Sequence, residues 1–72
     1  MVDFKVIFYK IQTYQMSKSD FNRLEKKVKE AIALCLIHAY SRDEAKISVL
    51  MRYYFVGKEN KHILEEMKEK YG

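Results

Sequence analysis

Ala31-Ile32-Ala33-Leu34-Cys35-Leu36-Ile37-His38-Ala39-Tyr40 decides how this chain is read. It continues a helical pattern whose earlier half carries Arg23, Lys26, Lys27 and Lys29. At 3.6 residues per turn, Phe21, Leu24, Val28, Ala31, Ile32, Cys35 and Ala39 make one apolar stripe, while Leu34 and Ile37 fall on the opposite side, in line with the lysines. An apolar second side must be covered, either by other segments of the chain or by a second copy. The sequence therefore nominates Leu34, Ile37 and Tyr40 as a partner interface.

Working outward, Ser17-Lys18-Ser19-Asp20 offers several N-cap residues just before the periodic run that begins at Phe21, so a helix is predicted near 20–40. Downstream, Ser41-Arg42-Asp43-Glu44 has capping-box spacing, with its acids at the positive end of a new helix dipole. A helix near 42–56 follows, with Glu44, Ser48 and Arg52 on one polar strip, the rest mostly apolar and buried, and Gly57 just past its end. Asn60 is read as the cap of a last helix near 60–71. There Ile63, Leu64, Met67 and Tyr71 share one face and charged residues cover the others.

The opening segment, 3–14, fits either a helix, with Phe4, Ile7, Phe8, Ile11 and Tyr14 on one face, or a strand by residue type. Residues 46–56 carry the same ambiguity, since Ile47, Val49, Met51, Tyr53 and Phe55 alternate and are β-prone. A lone strand leaves its backbone groups unpaired, so the two segments are strands together or helices together, unless the first pairs with its own copy. Capping signals are local and specific whereas β-propensity depends on context, which favours a mainly α, small helical bundle. The alternative is an α+β fold with 3–14 and 46–56 as strands.

No linker or repeat divides the 72 residues, so 1–72 is read as a single domain near the size at which one core barely offsets chain entropy. A hydrophobic fraction of 49%, with 14% aromatic, is well above that of a disordered tail. One cysteine excludes an intramolecular disulfide, and no secretory leader or spanning apolar stretch is legible, so a cytoplasmic setting and no membrane are expected. The net charge of +4 favours acidic partners but is too low for a nucleic-acid compactor. Any basic patch lies early in the long helix, at Arg23, Lys26, Lys27 and Lys29, because residues 58–72 balance four lysines with four glutamates.

Site chemistry is sparse. Cys35, His38 and His62 lack the paired spacing of a structural zinc site, and Cys35 sits within the apolar stripe, so no metal or other cofactor is expected. Serines 17, 19 and 41 read as caps, and no phosphate loop or nucleophile elbow is present, so neither catalysis nor a small-molecule substrate is expected. Tyrosines interleaved with basic residues, Lys5, Tyr9, Lys10 and Tyr14 with Arg52, Tyr53 and Tyr54, form a base-stacking surface only if their segments lie side by side as strands. Otherwise they are core and rim.

Tyr54 to Met67 resembles the front of a LuxR-type helix-turn-helix domain, through Gly57, Asn60, Lys61, Ile63 and Glu65. The stretch ends at Gly72, ahead of that family's groove-reading helix, so the resemblance implies a helix–turn–helix geometry and no more. Two functions are expected from the residues. One is a non-enzymatic interaction module that self-associates or docks on a protein through its apolar helix surface. The other is a nucleic-acid-binding accessory protein or transcriptional regulator using the basic patch.

Overall fold

Asp3 opens the first helix by accepting a hydrogen bond from the Lys5 N–H on its side-chain oxygen at 3.0 Å. A computed structural model describes residues 3–72, and among them every regular element is a helix. These are α1 (Phe4–Gln12), α2 (Lys18–Arg23), α3 (Lys26–Ala39), α4 (Glu44–Tyr54) and α5 (Lys58–Tyr71). Both ambiguous segments are thus helical. In α1, Ile7 and Ile11 are buried and Phe4 and Phe8 stack beside them with ring centroids 6.0 Å apart, which is the predicted helical face without Tyr14, exposed in the turn beyond the helix.

The helix near 20–40 is two helices. Ser17 caps α2, its hydroxyl accepting from the Asp20 N–H at 3.1 Å, but Leu24 and Glu25 turn extended (ψ 148° and 153°) before α3 begins. The buried face of α3 is Lys29, Ile32, Ala33 and Leu36. That face is rotated by about 90°, roughly one residue, from the predicted stripe. On a straight helix Phe21 would lie to one side of it. The break lets Phe21 become fully buried instead, against Tyr54 and Phe55, at centroid distances of 5.2 and 5.1 Å.

The central element is α3, which packs most extensively on α5 and then on α4. From Val28 to Ala39 only His38 is exposed, so the all-round apolar helix is enclosed by the chain's own segments. By contrast α4, expected to be mostly buried, is one-sided: Ile47, Leu50, Met51 and Tyr54 face inward while Val49 and Tyr53 remain exposed. Its start also lies two residues later than predicted, because Asp43 rather than Ser41 is the cap and accepts from the Lys46 N–H.

Between α4 and α5 the chain makes a tight turn. Gly57 has φ +89°, a left-handed value that suits a residue without Cβ, and it is the residue before α5 rather than the stop of α4. The last helix therefore begins at Lys58, not Asn60. It lays Ile63, Leu64 and Met67 on the core as expected of a one-sided cover helix, but leaves Tyr71 exposed.

Candidate docking groove

The three residues nominated as an interface separate in space. Leu34 is half-buried, packed against the core, and does not line the groove. Ile37 and Tyr40 instead border a groove of about 1130 Å³ that opens where the C-terminal end of α3 meets α4 and α5. The α4 wall presents Ser48, Met51, Arg52 and Phe55, spaced at i, i+3, i+4 and i+7. The α5 wall presents Lys61, Leu64, Glu65, Lys68 and Tyr71 in the same helical register, a face about 15 Å long.

The groove is an apolar floor with a wetted margin. Phe55, Met51 and Leu64 are buried in its base, while Val56 and Tyr71, 51% and 56% exposed, form its lip. Tyr40 is also half open to solvent, its hydroxyl donating to a Glu44 carboxylate oxygen at 3.1 Å. At about 1130 Å³ the groove is close to the upper end of ordinary small-molecule sites and differs from them in lying open to solvent. Ser41, Ser48 and His38 border it too, and no hydrogen bond joins the imidazole to either hydroxyl.

The predicted basic patch is only partly a surface. Arg23 is exposed and lies 3.7 Å from Asp20, and Lys26 and Lys27 are exposed in the first turn of α3. Lys29 is not available to a phosphate: it is 4% exposed and its ammonium donates to Asn60 Oδ1 at 2.9 Å. Asn60 in turn donates through Nδ2 to Asn22 Oδ1 at 2.7 Å, and the Lys29 ammonium sits 5.8 Å from the Phe21 ring centre. Rotation of α3 by one residue carries Lys29 inward, and the earlier start of α5 makes Asn60 its interior partner rather than a cap. This corner lies apart from the groove, none of whose lining residues it supplies.

The tyrosine-rich segments do meet, though as the turn after α1 against helix α4 rather than as strands. Tyr14 and Tyr53 contact edge to face at 5.4 Å, and Tyr54 is buried, donating its hydroxyl to the Met16 carbonyl at 2.7 Å. The Lys18 ammonium lies over the Tyr53 ring, 4.6 Å from its centre. With Tyr54 inside and the Tyr53 face already occupied by a cation, the cluster offers no open stacking platform. Cys35 and His38 line a second, smaller cleft between α1, α3 and α4, where burial raises the thiol pKa. Among the described residues no group of three or more His, Cys, Asp or Glu is placed to hold a metal ion. No described helix is long and apolar enough to cross a membrane.

Sequence reasoning missed Met51, Phe55, Val56 and Leu64 as groove residues because each also reads as core. Tyr71 gave no signal either: it lies seven residues beyond Leu64 and four beyond Met67, within about 40° of both at 100° per residue, and so reads as part of the buried face. Comparison with protein-family models, curated proteins and solved structures finds no match to this chain, so the functional reading rests on its own geometry.

Proposed function

We propose that this chain is a non-enzymatic interaction module that docks a protein partner in the groove formed by α3, α4 and α5. The observation that carries the reading is the groove itself, in which Val56 and Tyr71 expose apolar surface to water beside a base of buried Met51, Phe55 and Leu64. A different protein is favoured over a second copy, because the groove margin carries Arg52, Lys61 and Lys68 and the whole chain is itself at +4.

The test is a selection of random displayed peptides of about 16 residues, long enough to hold a helix on a surface, against the wild-type chain and against Val56→Glu/Tyr71→Glu. Both positions are exposed, so the variant is expected to melt at the wild-type temperature. Clones that bind the wild type and lose the variant support the reading; a selection yielding none rejects it. A wild-type mass that rises with concentration in sedimentation, and falls to monomer in the same variant, reassigns the groove to self-association. Nucleic-acid contact through Arg23, Lys26 and Lys27 is the second reading, carried by their exposure at one corner. Undetectable DNA and RNA binding at low ionic strength ends it.

A further inference from the structure

We infer that the groove takes an acidic amphipathic helix: apolar side chains at i, i+4 and i+7 seat on its floor, and flanking carboxylates meet the cations on its walls. The inference rests on the docking role just proposed and adds the chemistry of the occupant. Its first support is how charge is divided around α5. On the outer side of that helix, Glu66 lies within ion-pair distance of both His62 (3.4 Å) and Lys70 (3.6 Å). On the groove side, Lys61 and Lys68 form no ion pair with any described carboxylate, and neither does Arg52 on the opposite wall. Glu65 is the only carboxylate side chain in the lining. Three cations thus line an apolar trough, with one acid among them.

Shape selects the backbone. Adding a strand requires an open sheet edge, and the described residues contain no strand. The two walls are helix faces whose side chains recur at i, i+3, i+4 and i+7, the ridges into which another helix packs. Lys61 and Lys68 stand two turns apart, about 10.5 Å along α5, which matches acids spaced i and i+7 on an antiparallel or parallel partner. Met51 in the floor is an adaptable side chain of the kind helix-binding grooves use.

The groove-dependent clones from the selection supply the probes. Synthetic versions are expected to carry net negative charge and to gain helical circular dichroism on binding. Their affinity, by fluorescence polarisation, is expected to drop about tenfold against Lys61→Glu/Lys68→Glu and to weaken as salt rises. Replacing their Asp and Glu by Asn and Gln should remove most of that difference. Groove-dependent clones that are neutral or basic, that bind without becoming helical, or that are indifferent to the charge reversal overturn the acidic-helix inference and leave the docking role standing. Failure to obtain any groove-dependent clone overturns both. The charge-reversed chain should stay folded, its melting temperature lowered only slightly by the new like-charge contacts with Glu65, since both lysines are exposed and make no ion pair.

Discussion

Lys29 gives the sharpest example of a single residue whose surroundings reverse its reading. An ammonium that looks like a surface phosphate contact is instead buried, held by the Asn60 carbonyl oxygen and the Phe21 ring, and it ties α3 to α5 and, through Asn22, to α2. A buried charge is costly unless its partners remain, so removing one partner is worse than removing both. Asn60→Leu is therefore expected to destabilise the fold by about 3 kcal/mol, while Lys29→Met/Asn60→Leu stays within about 1 kcal/mol of wild type. Urea denaturation of the two variants measures this, and a double variant as damaged as the single one contradicts the account.

At the scale of elements, the ends of helices decide the layout. α1 finishes in a Schellman turn, with Tyr14 N–H donating to the Ile11 carbonyl at 3.2 Å and Gln15 N–H to the Lys10 carbonyl at 2.9 Å. The residue that must go left-handed there is Tyr14, at φ 59°, where glycine is usual. Its edge contact with Tyr53 offsets part of that strain. Tyr14→Ala keeps the strain and loses the contact, so it is expected to cost about 0.5–1 kcal/mol. Tyr14→Gly loses the contact but relieves about 1 kcal/mol of strain, leaving thermal stability near wild type. An alanine variant at least as stable as the glycine one would remove the strain from the account. The caps at Ser17 and the helical faces of α1 and α5 were legible from local spacing alone. The break at Leu24–Glu25 was not, because neither residue is a helix breaker and the reason for the turn is the distant pocket formed by Tyr54 and Phe55.

For the whole molecule, the buried Tyr54 and half-buried Cys35 set a pH dependence. Loss of water around each raises its pKa, and the neighbouring Tyr53 and Tyr14 add to the effect at Tyr54. The unfolded chain then releases these protons first as the solution turns alkaline, so the stability contributed by these two groups is constant below the ordinary thiol range and is lost above it. Urea midpoints between about pH 7.5 and about pH 10.5 should decline, and less steeply in Cys35→Ala or Tyr54→Phe. Tyr54→Phe also loses the hydrogen bond to the Met16 carbonyl, a pH-independent cost of about 1 kcal/mol. If both variants retain the full wild-type slope, the alkaline loss belongs to other groups.

By itself the sequence determined the helical run that follows Ser17 and favoured a helical bundle over an α+β fold, because periodicity and capping are properties of neighbours along the chain; whether 3–14 and 46–56 were helices or strands it left open. It also announced an apolar surplus, in the run from Ala31 to Tyr40. Only the tertiary structure decided where that surplus ends up. A rotation of α3 by about one residue brings Lys29 inside and encloses Leu34 and Ile37 to half-burial, while Val56 and Tyr71 stay exposed at the groove between α4 and α5. Rotation about a helix axis changes no local hydrogen bond, so nothing in the spacing of residues fixes it; the competition among Phe21, Ile32, Leu36 and Tyr54 for one core does.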